Sequence, residues 1–218
     1  MDHAFWHARW QANEIGFHQE EINAHLQSYW PRLDVAAGAT VFVPLCGKSR
    51  DMLWLASRGH RVLGVEISPI AAAAFFAEND LPVEPIEQER FVLRRAGEIA
   101  LLEGDYFDLR PDDLRGVAAV YDRASLIALP PDLRAAYAAQ MAQLLPAGTP
   151  SLLVTLDYDQ AEMSGPPFAV GPVEVEALFA RDFRIAVLGE QDILAENPRF
   201  RARGLTRLAE RIFRLTRR

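Results

Sequence analysis

The chain has a single cysteine, Cys46. No disulfide framework can form within it, so a reducing compartment is expected. An excess of positive charge is also missing. Lys and Arg number 23 against 30 Asp and Glu, a net charge of −7. Nucleic-acid phosphates need a basic face, so nucleic acid is not an expected partner. Long apolar runs are absent too. The longest, Ile70–Ala77, falls far short of the roughly 20 residues that span a bilayer, so no membrane partner is expected either. The opening MDHAFWHARW carries an acid at position 2 and no apolar segment of the secretory kind, and a cytoplasmic location follows by elimination. Glycine is scarce where a dinucleotide would need it, since Gly47 stands alone and no GxGxxG cradle surrounds it. A helical HExxH, a GxSxG elbow and a pair of catalytic carboxylates are likewise missing, which argues against zinc proteases and hydrolases.

What is present is ordinary globular material. Half of the 218 residues are hydrophobic and 24% are charged, enough for one domain with a real core. There is no repeat or flexible linker, so a single domain over 1–218 is expected. Residues 1–38 read as two helical pieces separated by Asn13–His18, with Phe5, Trp6 and Trp10, then Ile22, Leu26, Tyr29 and Trp30, at helical spacing. From residue 39 the pattern changes. Thr40–Leu45 and Arg61–Val65 are short apolar runs of the kind that form strands buried on both faces, and Val117–Tyr121, Ser151–Leu156 and Phe183–Leu188 read as further strands. Helical segments alternate with them, among them Ser49–Ser57 and one opened by Ser68-Pro69 and closed at Asn79. Between Glu89 and Glu103 the sequence instead folds back around Ala96-Gly97 as a hairpin. Asp157–Pro172, with SGPPFAVGP, is irregular and reads as a lid or binding loop. Leu205, Leu208, Ile212 and Leu215 fit a helical stripe.

Strands alternating with helices predict an α/β fold, a mostly parallel doubly wound sheet. Such sheets bind ligands beyond the carboxyl ends of their strands. Pro44–Ser49, with Leu45 and Gly47, follows the first strand. It is either a ligand loop or a plain tight turn. Glu66 ends the second strand and can accept hydrogen bonds from both hydroxyls of a ribose. The alternative is an acid stabilised by the following helix. Asp105-Tyr106 follows the hairpin and could meet an adenine, or be a turn aspartate and a core tyrosine. Asp122-Arg123 follows the strand ending at Tyr121. Arg123 can pair with a carboxylate in a forked geometry, or forms a surface ion pair worth little. His3 and His7 stand four apart on a helix without a neighbouring carboxylate and read as surface residues. His60 reads as a turn residue and Cys46 as a small packed one, and no metal site is expected.

The motifs FWHARW, GFHQEEIN (Gly16–Asn23), VPLCGKSRDM (Val43–Met52), GVEIS (Gly64–Ser68), GDYFDL (Gly104–Leu109), YDRASLIALP (Tyr121–Pro130) and SGPPFAV (Ser164–Val170) run through nearly the whole chain. Together they resemble the thiopurine S-methyltransferases, in particular the bacterial branch. The resemblance implies a seven-stranded, mostly parallel class I methyltransferase sheet with one reversed strand and an N-terminal helical cover over the cofactor. It also implies that the segment after Leu205 includes the last antiparallel strand, against the helical spacing noted above, and the resemblance is preferred. The implied cofactor is S-adenosylmethionine, with Trp10, Leu45, Gly47, Glu66, Asp105, Tyr106 and Arg123 about it. Phe17, Pro167 and Phe168 fall on the substrate side. The implied activity is S-methylation of small aromatic or heterocyclic thiols by a monomer. Methylation of selenium or tellurium oxyanions, or of other small thiols, is the alternative, and a non-catalytic nucleoside-binding module is the second. No general base is assigned; Asp122 and His18 are candidates by location only.

Overall fold

The computed structural model describes residues 3–218, apart from the side chain of His3. The His3 side chain, half of the expected histidine pair, therefore lies outside what is described. The chain divides into two compact units, Met1–Tyr121 and Asp122–Arg218. No helix among the described residues is long and apolar enough to cross a membrane.

The first unit begins with helices α1 (His3–Gln11) and α2 (Ala24–Tyr29). The side chain of Asn23 caps α2 by accepting from the His25 and Leu26 N–H groups, which fulfils the side-chain oxygen role that helix starts need. Strand β1 (Thr40–Val43), helix α3 (Asp51–Ser57), strand β2 (Arg61–Glu66) and helix α4 (Pro69–Glu78) follow. Ser68 caps α4, Pro69 fills its first turn and Asn79 ends it, as the Ser-Pro signal predicts. Strands β3 (Ile86–Glu87), β4 (Val92–Ala96), β5 (Ile99–Glu103) and β6 (Val117–Arg123) complete the set. Their order is β3-β4-β5-β2-β1-β6. β5, β2, β1 and β6 run parallel, and β4 turns back on β5 through the expected hairpin. The in-register pairs Val43 with Gly64 and Glu66 with Glu103 bring the ends of β1, β2 and β5 out side by side. The loops that begin at Pro44, Ile67 and Gly104 thus share one end of the sheet.

Gly64 is needed for close approach rather than for a turn. A Cβ there would stand 2.7 Å from Cys46 Sγ and 3.3 Å from Met52 Sδ. Both neighbours are buried, so Cys46 is the packed residue its surroundings in the sequence suggest.

The second unit contains helix α5 (Pro131–Leu144), strand β7 (Pro150–Asp157), helix α6 (Pro172–Phe179), strand β8 (Phe183–Asp192), helix α7 (Pro198–Ala202) and strand β9 (Ala209–Arg217). β9 lies between β7 and β8 and is antiparallel to both. The helix suggested by periodicity over 205–215 is therefore corrected, and the strand implied by the resemblance is found. Ile212 and Phe213 are consecutive and both buried, at 0% and 1% exposure. A strand covered on both faces loses the two-residue alternation, and the surviving Leu208–Ile212–Leu215 spacing imitates a helix.

The α/β class with a parallel centre stands as expected. The strand number is nine among the described residues, against seven implied by resemblance; β3 and β4 are the added antiparallel pair. Asp122 and Arg123, expected beyond their strand, are its last two residues.

Substituting Gly64→Ala forces a methyl against Cys46 Sγ, and such overpacking costs about 1–3 kcal/mol. The thermal midpoint should drop by several degrees in a calorimetric scan, and an unchanged midpoint would show that the β2–Cys46 approach is not tight.

Candidate functional site

In the first unit Gly47, one of the residues singled out from the sequence, meets the carboxyl group of Glu66. Glu66 ends β2 and is 6% exposed. Its Oε2 accepts the Gly47 N–H at 2.8 Å and its Oε1 accepts the Ser68 N–H at 2.8 Å. The two donors belong to the loop after β1 and the turn into α4. Burial pushes the Glu66 carboxyl from its ordinary 4.5 up to about 7, against the N–H groups of Ser68, Gly47 and Ile67, which pull it down. Each oxygen has a second lone pair free of these two bonds. A carboxylate pinned this way can receive two further donors, which is what the vicinal hydroxyls of a ribose offer. The site thus fits a nucleoside cofactor.

Gly47 has a φ of +53°, and a Cβ on it would lie 3.1 Å from Trp10 Cζ2. The loop therefore passes directly under the indole, which is 7% exposed. Leu45, half-buried, takes a φ of +45°. This left-handed turn in a bulky residue is uncommon and bends the chain sharply out of β1. Phe17 stands edge-on to both indoles, with ring centroids 5.5 Å from Trp10 and 5.7 Å from Trp6. The helical cover thus brings an aromatic cluster to the Gly47 loop.

Asp105 and Tyr106 stand just past Glu103, the pairing partner of Glu66. Asp105 Oδ1 accepts the Phe107 N–H at 2.8 Å and so caps a 3-10 turn. Tyr106 is buried with its ring edge-on to Phe107. This pair therefore has a structural task in addition to any ligand contact.

The sequence reading missed what anchors the cover. Asp51 Oδ1 accepts the Asn23 N–H at 2.8 Å, and its Oδ2 accepts the Tyr121 hydroxyl at 2.9 Å. Beside it, Arg50 donates to the Glu20 carbonyl at 3.0 Å. The signal was an acid at the start of α3 that is 3% exposed, and burial cannot be read from one sequence. His60 was read as a turn residue. It is buried, and its Nε2 accepts from the Trp30 indole N–H at 3.1 Å.

In the second unit Arg123 ends β6 and is half-buried. No carboxylate among the described residues lies within ion-pairing distance of it. A neighbour the sequence reading did not consider is Arg199. Burial, and then the charges of Arg123 and Arg203, hold its guanidinium below the ordinary value. Positive charge thus gathers about Arg123. Asp122 is turned to another use. Its Oδ2 accepts the Tyr137 hydroxyl at 2.7 Å, and burial pushes it up to about 6 against hydrogen bonds from Tyr137, Leu126 and Ser125.

The loop after β7 is irregular, as expected, and heavily hydrogen-bonded. Tyr158 donates its hydroxyl to the Pro167 carbonyl at 2.6 Å. Gln160 Oε1 accepts the Ala169 N–H at 2.9 Å, and the Phe168 N–H donates to the Ile127 carbonyl at 2.7 Å. Pro167 and Phe168 are half-buried, so part of each side chain is left open.

The elevated pKa of Glu66 has a thermodynamic consequence. The fold favours the protonated form, so this contribution is full below about pH 4.5 and is lost as pH rises through about 7. Glu66→Gln cannot ionise. Between pH 5 and 8, without ligand, the wild type should lose roughly 2–3 kcal/mol relative to the variant. Urea melts across that range test this, and two parallel stability curves would rule out an elevated Glu66.

Comparison with known proteins agrees with this geometry. Residues 1–218 match the sequence profile of the family described as Thiopurine S-methyltransferase (TPMT). A thiopurine S-methyltransferase of Nitrosospira multiformis is 55% identical over 215 residues, covering 99% of this chain and 98% of the relative. That of Methylococcus capsulatus is 50% identical over 214 residues, covering 98% and 96%. Among solved structures, a SAM-dependent methyltransferase from Anabaena variabilis superposes with a TM-score of 0.69 at 14% identity, covering 99% and 95% of the two chains. A Burkholderia thailandensis 1,6-didemethyltoxoflavin-N1-methyltransferase with bound S-adenosylhomocysteine gives 0.62 at 18% identity, covering 98% and 87%. These two share the fold. The match along the whole chain, together with the two close relatives, shows that this chain is a methyltransferase and belongs to the thiopurine S-methyltransferase family.

Proposed function

We propose that the chain transfers a methyl group from S-adenosylmethionine to the sulfur of small aromatic or heterocyclic thiols, thiopurines among them. In this reading residues 1–218 serve one reaction, with 1–38 as its cover. The observation that carries it is Arg123, a half-buried guanidinium without a carboxylate partner among the described residues and with Arg199 adding positive charge. Such a place favours an anionic acceptor, and an aromatic thiol is acidic enough to supply a thiolate. The names of the relatives point the same way.

Bound S-adenosylmethionine supplies an electrophilic methyl carbon on a positively charged sulfur. Glu66 would grip the ribose hydroxyls with the lone pairs that Gly47 and Ser68 leave free. Leu45, Gly47, Asp105 and Tyr106 would line the nucleoside. In the first unit Trp10 and Phe17 would keep water away, Phe17 toward the acceptor; in the second unit Pro167 and Phe168 would meet the acceptor. Arg123 and Arg199 would lower the thiol pKa, so that the proton leaves to solvent before the transfer. No side chain is assigned as a general base. The remaining work is alignment in a dry site, which in favourable cases supplies roughly 7–11 kcal/mol.

Ionised Glu66 is the form that accepts two hydroxyl donors. Affinity for S-adenosylhomocysteine should therefore rise with pH through about 7 and then level off. Glu66→Ala should weaken binding at least about tenfold, the effect of losing hydrogen bonds to a charged group. Calorimetric titration at several pH values measures both, and unaltered affinity in the variant would take Glu66 out of the site. Transfer of labelled methyl to 6-mercaptopurine, with tellurite and an aliphatic thiol as comparison acceptors, tests the reaction itself. Arg123→Ala should lower kcat/KM for the thiopurine by about ten- to a hundredfold. Cofactor binding without turnover on any acceptor would defeat the catalytic reading, and a preference for tellurite would redirect it.

A further inference from the structure

Arg134 is the largest fully buried side chain among the described residues, at 2% exposure. It lies on α5 in line with Tyr137, Ala138 and Met141, all buried, where an apolar residue would ordinarily sit. Burying a guanidinium is costly unless it is well paired, so its partners show what it is held for. Nε donates to the Leu129 carbonyl at 2.9 Å. Nη1 donates to the Ala169 carbonyl at 3.3 Å and pairs with Glu174 Oε1 at 2.5 Å. The guanidinium carbon stands 5.3 Å from the centroid of the Phe168 ring, within cation–π range. One side chain thus ties Leu129, two residues before α5, Ala169, just after GPPF, and the first turn of α6.

Phe168 is constrained from a second direction. Gly165 has a φ of +76°, and a Cβ there would stand 2.4 Å from Phe168 Cδ1 and 2.7 Å from Cε1. The ring therefore lies against the bare backbone of Gly165 while the Arg134 cation holds it as well. Yet Phe168 remains only half-buried. A fixed ring with an open part is a flat apolar surface, suited to stacking a planar heterocycle.

We propose that Arg134 is the positioning residue that fixes the Phe168 ring as a stacking wall, and so sets the preference for flat aromatic thiols over aliphatic ones. The inference rests on the reading that the GPPF loop faces the acceptor. Lysine at position 134 keeps the charge but cannot reproduce the planar fork. Arg134→Lys should raise KM for 6-mercaptopurine about five- to twentyfold with kcat less affected. KM for an aliphatic thiol and the affinity for S-adenosylhomocysteine should stay within about twofold of the wild type. Phe168→Leu, which leaves Arg134 and its hydrogen bonds in place, should reproduce the same loss of discrimination.

Three results would overturn the proposal. In one, both variants keep the wild-type ratio of aromatic to aliphatic kcat/KM. In another, Arg134→Lys loses kcat, acceptor KM, cofactor affinity and thermal midpoint together while Phe168→Leu is normal, which assigns Arg134 to stability alone. In the third, wild-type protein methylates no thiol, and the reading on which the inference rests falls with it.

Discussion

A buried carboxylate held by two backbone amides is the constraint on which the first unit depends. Glu66 receives Gly47 from one loop and Ser68 from the next, so the turn after β1 and the start of α4 are joined through one side chain. Two demands meet on Gly47. It must turn its N–H to Glu66, and it must leave room for the Trp10 indole. No other residue combines the left-handed φ with the missing Cβ at so low a cost. The helical cover therefore packs onto a loop whose conformation is already decided by Glu66. Asp51 secures the cover from the other end through Asn23. An ionisable group raised to about 7 stores part of its burial cost, which donors from a ligand can offset. The same group thus organises the loop after β1 and offers acceptors that hydroxyl donors would suit.

The second unit solves a related problem with the opposite charge. Arg134 is buried and shared among two carbonyls, a carboxylate and an aromatic ring. Arg123 is left half-buried without a carboxylate. The first arrangement commits Nε and Nη1 to the protein and buries Nη2 without a partner, whereas the second meets no carboxylate among the described residues. This contrast, rather than the number of arginines, separates a structural cation from one able to meet an anion.

Much of this was legible along the chain, for a physical reason. Strands buried on both faces are continuous apolar runs, so β1, β2, β6 and β7 stand out, and the polar residues that interrupt them fall at their ends. Glu66 and Arg123 were found by that rule, and the Ser68-Pro69 start of α4 by capping chemistry. The same rule failed for β9. Double burial removed its alternation, and only the resemblance pointed to a strand. Arg134 was missed because a single arginine on a helix normally reads as solvated. The available signal was its place in register with Tyr137 and Met141, which puts a charge on the apolar stripe. Asp51 gave no such warning, because its partners lie 28 and 70 residues away and one of them is a backbone amide.

The distribution of polar groups also bears on the kind of chemistry this fold can support. A reaction that needed a strong base would require a titratable group free to exchange its proton near the acceptor. Asp122 sits next to Arg123 in sequence and is raised to about 6, which is a suitable value for such a base. Its Oδ2 accepts the Tyr137 hydroxyl at 2.7 Å, which ties the end of β6 to α5. The chain thus gives one oxygen of that carboxylate to a tyrosine hydroxyl. That choice is consistent with an acceptor that ionises on its own, for which a fixed positive charge and the exclusion of water are more useful than a proton acceptor.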